Sequence, residues 1–358
     1  MAKSNFLNSF FKLFFSVKEN KSRELNSPKN FLIIRQHNQF GDMLASVPLF
    51  RAIKETYPKS RLSVLTSNDN YFAIEKNKFV DEQFNFDKNK LHQIDYFRSL
   101  IKFLKNNYDV VIIPTTVSIS FTSHFLGRFA KANTRICADS LNGEINQFSY
   151  LCDRRISLDW RANPDQNVSQ FILELVKPFG IYTDNYQSEI TFDENDRVKA
   201  ELFFRDELKA ASNQKVIGMH VGAGKPPNRW DLNKFILLAE KLHEKYNAKI
   251  FFTGSNSDKE ELDYISSKLK IEKIFALNKK IPELAAIIAK SDLFITNDTG
   301  VMHVAGAVKV KQISLFGPTK PENWAPIGTD KLYIRNSDDI NDIDVEDVYD
   351  AAVKFLGD

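Results

Sequence analysis

Asp298, Thr299, Gly300 and His303 lie in a polar string between apolar runs, and that mixture of types suits a bound phosphate. Residues 293–296 read as a buried strand, 297–300 as a tight loop, 301–308 as a helix, and 312–316 as a second strand closing on Gly317-Pro318-Thr319. Strand, loop, helix and strand in this order hold nucleotides at the carboxyl ends of parallel strands. Thr299 and Gly300 would present backbone N–H groups at a helix N-terminus to a pyrophosphate. Gly300 also permits a close approach to the backbone. His303, one turn on, could point at the same phosphate. The competing reading is structural: Asp298 caps the helix and His303 faces the core.

Three more loops carry candidate chemistry. Gly222, Ala223, Lys225 and Arg229 follow the apolar run 215–221 in the string GAGKPPNRW. Glycines after a strand with two cations make a second anion site, or else a solvated turn. Neither a P-loop string nor a GxGxxG fingerprint is present. After the run 249–253, Asp258 and Glu260 could reach a ribose hydroxyl, or serve as helix N-terminal carboxylates favoured by the dipole. In the first half, Gln36-His37-Asn38-Gln39-Phe40-Gly41-Asp42 follows the run 31–35. Asp42 could be a general base or a helix cap. His37 could assist it or, with Gln39, contact an acceptor.

The elements that must position these loops alternate. Strands are expected at 31–35, 61–66, 78–86 and 110–114, with helices at 42–57 and 94–107. The second half restarts: strands at 215–221, 249–253, 274–276, 293–296 and 312–316, with helices at 232–246, 260–269, 281–289 and 301–308. Repeated βα alternation implies parallel sheets covered on both faces. The fold expected is therefore α/β, two Rossmann-like domains whose sheets face across a cleft. The divisions are an N-terminal amphipathic segment over 1–30, a first domain over 31–185, a second over 186–335, and a C-terminal helix over 336–358 packing back across the join. A strand at 189–192 and a helix at 193–211 are expected near that join. Residues 115–161 match no pattern.

Composition sets the class. The chain has 358 residues, is 43% hydrophobic and 27% charged, and carries a net charge of +3. The charge is unevenly spread: residues 1–180 hold 25 Lys and Arg against 17 Asp and Glu, leaving 24 against 29 in the remainder. A basic first half suits an anionic partner, or is ordinary lysine richness. No nucleic-acid recognition motif accompanies it. Cys137 and Cys152 have no metal spacing and fit a reducing compartment. No run reaches the ~20 apolar residues of a membrane span. Phe6, Leu7, Phe10, Phe11, Phe14 and Phe15 recur near helical spacing among Lys3, Lys12 and Lys18. That is a membrane-surface helix, a helix packed on the domain, or a frayed tail; polar interruptions argue against a signal peptide.

Taken in order, FLIIRQHNQFGDMLASVPLFRAIKETYP, IGMHVGAGKPPNRWDLNKFILLAEKL and DLFITNDTGVMHVAGAVKVKQISLFGPTKPENWAP resemble the heptosyltransferase family of lipopolysaccharide synthesis, glycosyltransferase family 9. The resemblance spans residues 31–326. It implies inverting glycosyltransferases of GT-B fold, a second domain binding ADP-heptose and a first domain binding an anionic glycolipid acceptor. Asp42 matches the family's Gly-Asp and would be the catalytic base. Asp298, Thr299, Gly300 and His303 match its donor string, and Gly222, Ala223 and Arg229 the other phosphate-side loop. Lys279–Ile281 lies where the family borders the adenine, so Lys279 and Ile281 join the donor candidates. No cofactor and no divalent metal are expected, because helix N-termini and basic side chains would neutralise the leaving diphosphate. The location implied is cytoplasmic, with peripheral contact at the inner membrane. One departure is Asn228, where the family often has a lysine, so Lys225 or Arg229 must supply that charge. A different nucleotide sugar, a nucleotide-sugar epimerase or a non-catalytic sugar-nucleotide binding protein are the other readings; the epimerase lacks its dinucleotide fingerprint.

Overall fold

The computed structural model describes residues 12–36 and 39–357. The chain divides into two compact units, Met1–Tyr186 and Gln187–Asp358.

The first unit is built on β1 (Asn30–Ile34), β2 (Arg61–Ser67), β3 (Glu82–Phe86), β4 (Tyr108–Ile113), β5 (Ala132–Leu141), β6 (Glu144–Ile145) and β7 (Arg154–Leu158). Their order is β3-β2-β1-β4-β5, with β7 parallel and β6 antiparallel beside β5. Phe31 to Ile34 of β1 are fully buried because helices cover both faces. In register, Ile33 sits opposite Val64 on one side and Ile112 on the other. The helices are α1 (Phe40–Leu44), α2 (Val47–Thr56), α3 (Ile94–Leu104), α4 (Phe121–Phe129) and α5 (Val168–Glu174). Ser120 caps α4 by accepting from the Ser123 amide, and Asn167 with Gln170 forms a capping box on α5. The single helix expected over 42–57 is divided at Ala45 and Ser46. Pro48 cannot donate an amide hydrogen and its ring crowds the preceding turn. It therefore stands in the first turn of a new helix.

The segment 115–161, left unplaced by sequence, supplies α4 and the sheet edge β5 to β7. Of the N-terminal segment, Phe6, Leu7, Phe10 and Phe11 lie outside the described residues. Residues 15–20 dock on this unit. The Val17 amide donates to the Tyr150 carbonyl at 2.8 Å, the Asn20 amide to Asp153 at 2.7 Å, and the Phe15 ring meets Phe129 at 5.5 Å. Among the described residues no helix is long and apolar enough to cross a membrane.

The second unit opens on α6 (Glu194–Leu202), which runs on as a wider π-type turn over Phe203–Leu208. The expected strand at 189–192 is absent there; the segment makes a backbone bond from Ile190 to the Ala307 carbonyl at 3.1 Å. The sheet holds β8 (Val216–His220), β9 (Lys249–Gly254), β10 (Ile274–Leu277), β11 (Leu293–Asn297), β12 (Lys311–Leu315) and β13 (Lys331–Ile334), all parallel, in the order β10-β9-β8-β11-β12-β13. Around it stand α7 (Leu232–Tyr246), α8 (Lys259–Lys268), α9 (Ile281–Ala289), α10 (Gly300–Gly306), α11 (Pro321–Trp324) and α12 (Val345–Leu356). The C-terminal helix α12 buries Val348, Ala352 and Leu356 in the core of this unit and packs on α7. Those contacts lie within the second unit.

Candidate active site

In each unit the strand order reverses beside the first strand, between β1 and β4 and between β8 and β11. Loops leaving the carboxyl ends of such a pair emerge together, and ligands of open α/β sheets bind there. In the second unit those two loops are 221–230 and 298–300. In the first they begin at Arg35 and at Pro114. The topology thus gathers residues that the sequence separates by about 75 positions.

Asn297, the last residue of β11, ties the second-unit loops together. Its buried amide donates to the Val221 carbonyl at 2.8 Å, and its carbonyl oxygen accepts from the Trp230 amide at 3.2 Å. Trp230 is buried, and its indole donates to the Ile343 carbonyl at 2.9 Å. Both ends of the GAGKPPNRW loop are therefore fixed. Asn228 is also buried, and its amide donates to the Asp298 carboxylate at 2.9 Å. The missing family lysine is replaced by a direct strut between the two loops. Sequence reading treated Asn228 only as a lost charge, and Asn297 was not singled out. The signal for Asn297 is an amide side chain at the end of an apolar run.

Asp298 does not cap α10. Thr299 holds the cap position, in extended conformation and without a side-chain cap bond, while Asp298 turns to Asn228. Burial raises the Asp298 pKa, against a hydrogen bond from Thr319 and the nearby charges of His303 and Lys225. Four of the expected donor residues, Lys225, Asp298, Thr299 and His303, thus share one neighbourhood, and Thr319 joins them. Lys225 is exposed.

The other candidates have protein partners. Arg229 pairs with Glu261 of α8 and donates from Nε to the Ala223 carbonyl at 2.9 Å, so its charge is balanced by the protein. Asp258 accepts from the Ser255 amide at 2.8 Å and the Ser255 hydroxyl at 2.9 Å, closing a capping box. It also lies against Gly222, where an added Cβ would stand 2.2 Å from its Oδ1. That contact leaves room for glycine alone. Beside them His220 is buried, with Nδ1 3.0 Å from the Thr253 hydroxyl; burial lowers its pKa against the field of Asp258. Lys279 pairs with Glu283 at 3.2 Å, and Ile281 is half-buried at the start of α9.

In the first unit Asp42 sits in the first turn of α1, half-buried, and is not the cap residue. Among the described residues its carboxylate takes no hydrogen bond, and the Arg35 charge acts on it. Its own carbonyl accepts from the Ser46 hydroxyl at 2.7 Å. Behind it lies Arg35, fully buried at the end of β1. The guanidinium donates to the Pro114 carbonyl at 3.4 Å, the Thr116 hydroxyl at 3.3 Å and the Asp42 carbonyl at 3.5 Å. Burial pushes its pKa down to about 10, with Asp42 opposing; it stays charged at neutral pH. Gln36 reaches the Ser120 and Ser123 hydroxyls, both at 3.2 Å. Arg35 and Gln36 were not picked out from sequence, although a charged residue closing the run FLII was the available signal. Gln39 is exposed, and His37 lies outside the described residues.

One group among the described residues has metal-ligand types within 4.8 Å of one another: His124, Cys137 and Cys152, all buried. His124 already has partners, the Ser120 carbonyl at 2.7 Å from Nδ1 and the Asn146 amide at 2.9 Å from Nε2.

The family model described as glycosyltransferase family 9 (heptosyltransferase) matches residues 97–350. The chain is similar to the Escherichia coli protein named lipopolysaccharide heptosyltransferase 3, 27% identical over 309 residues that cover 80% of this chain and 83% of the relative. Among solved structures it is similar to the glycosyl transferase family 9 of Veillonella parvula, with TM-score 0.77 at 19% identity, covering 92% of this chain and 97% of that one. It is also similar to the E. coli ADP-heptose lps heptosyltransferase II, with TM-score 0.73 at 21% identity, covering 92% and 98%. Those structural likenesses speak for the fold, the two-domain GT-B arrangement of parallel sheets.

Proposed function

The chain belongs to glycosyltransferase family 9, the heptosyltransferases, and we propose that it moves heptose from ADP-heptose to a lipopolysaccharide or lipooligosaccharide core acceptor with inversion. The observation that carries the donor half is the junction of the β8 and β11 loops, where Lys225, Asp298, Thr299 and His303 meet. Backbone N–H groups at Thr299 and Gly300, with Lys225 and His303, receive the diphosphate. Gly222 and Ala223 lie along the same loop. Asn228 and Asn297 hold the two loops in register, so the donors of charge and hydrogen bonds are set before the ligand arrives. In this reading no divalent metal is required, because those groups balance the leaving ADP.

The first unit supplies the base. Asp42 takes the proton from an acceptor hydroxyl as its oxygen attacks the anomeric carbon; the bond from that carbon to the β-phosphate oxygen breaks and ADP leaves. Arg35 positions α1 through the Asp42 carbonyl and keeps a cation behind the carboxylate. Gln36, Gln39 and Ser120 border the same loop pair and suit hydroxyl groups of a glycan. The acceptor is an anionic glycolipid, in keeping with the basic first half, and the enzyme works at the cytoplasmic face of the inner membrane.

A thermal-shift panel of ADP, UDP, GDP, CDP and ADP-heptose tests the donor. A ligand at 100 times its Kd stabilises by about 2.7 kcal/mol. ADP and ADP-heptose alone should raise Tm. A larger rise with UDP or GDP would keep the fold and discard the heptose donor.

A further inference from the structure

Helix α3 carries one broad apolar face, and the core covers only part of it. Leu100, Phe103 and Leu104 are buried, and the Phe103 ring packs on Phe84 at 5.2 Å. Ile94, Phe97 and Ile101 run along the edge of that buried face and are 67%, 47% and 38% exposed. Their i, i+3, i+7 spacing makes a single stripe along the helix, and Leu91, in the turn before it, is 40% exposed and extends it. Scattered exposed apolar residues are ordinary; four in one row are a surface built for contact.

The flank of the stripe chooses the occupant. Arg98 and Lys102, one turn apart, border it along the helix, and Lys88 and Lys90 stand in the preceding turn, all exposed. Asp95 pairs with Arg98 at 3.5 Å, an exposed pair of little energetic weight. A second copy of the chain docking by two-fold symmetry would set these cations against themselves. An anionic bilayer satisfies both features at once: apolar side chains enter the acyl boundary while Arg98 and Lys102 reach back to phosphates. We propose that α3, with the Lys88–Lys90 turn, is the surface by which the first unit lies on an anionic membrane. This deepens the reading of an enzyme acting at a membrane, and stands apart from which sugar it transfers.

Co-sedimentation of the full chain with phosphatidylcholine vesicles, with and without phosphatidylglycerol, tests it. Wild type should pellet with the anionic vesicles, and the combined variant Ile94→Ser, Phe97→Ser, Ile101→Ser should partition about tenfold less. Arg98→Gln with Lys102→Gln should lose severalfold and much of the salt sensitivity. Phe14→Ser, an exposed residue of the N-terminal segment, should change partitioning less than twofold. A circular-dichroism melt checks that the triple variant folds. Phe97→Trp gives an independent readout: a blue-shifted emission on anionic vesicles only. The proposal fails if wild type ignores anionic vesicles, if the triple variant binds as wild type does, or if sedimentation equilibrium finds a dimer that the triple variant dissolves. None of these readouts uses ADP, so the nucleotide panel is judged separately.

Discussion

Asp298 is the residue on which the two donor loops converge, and its environment has a measurable signature. Burial raises its pKa, so the folded chain binds that proton more tightly than the unfolded chain does. The resulting stability is complete at pH values below the ordinary carboxylate range and is lost as pH rises through the raised value. Asp298→Asn removes the dependence and keeps an acceptor for Asn228. Its Tm relative to wild type should therefore climb as pH rises from the ordinary carboxylate range through the raised value. A difference that does not change with pH would mean that the carboxylate is not buried against Asn228 and Thr319. The aspartate itself was legible in sequence, as was Asp42. The partners were not: Asn228, Thr319 and Arg35 act through pairing across loops, and single-chain spacing carries no record of which loops meet.

At the scale of elements, the legible parts are the runs that parallel sheets bury on both faces. FLII in β1, VVII in β4 and LFIT in β11 are unbroken apolar strings because no face of them meets water. The β5 strand reads ANTRICADSL, with six of its ten residues not buried, and β13 is KLYI with none buried; both escaped notice. The α1–α2 break escaped for a different reason: helical periodicity in residues 42–57 outweighed the one proline that interrupts it. The contact between the β8 loop and the turn after β9 gives a prediction. Gly222→Ala would drive a methyl into Asp258, whose carboxylate is held by its capping box. Overpacking of this kind costs about 1–3 kcal/mol. Tm should fall by several degrees, and in an Asp258→Ala background the same change should be nearly neutral. An equal loss in both backgrounds would place the strain elsewhere.

Over the whole molecule, each unit has its own core and its own reversal of strand order, and each reversal gathers a different chemistry. The second unit collects Lys225, His303 and Thr319 around Asp298; the first presents a carboxylate near a buried guanidinium. The family match begins at residue 97, so Asp42 rests on its motif and its setting rather than on that match. We propose this carboxylate as the base for heptosyl transfer. The direct measurement is mass spectrometry of a purified heptose- or Kdo-containing core glycolipid incubated with ADP-heptose and either wild type or Asp42→Asn, with ADP binding followed in parallel by calorimetry. Wild type should add one heptose, and Asp42→Asn should be slower by about 10²–10⁴-fold while binding ADP as tightly. Transfer by Asp42→Asn at the wild-type rate, with ADP bound equally by both, would remove Asp42 as the base.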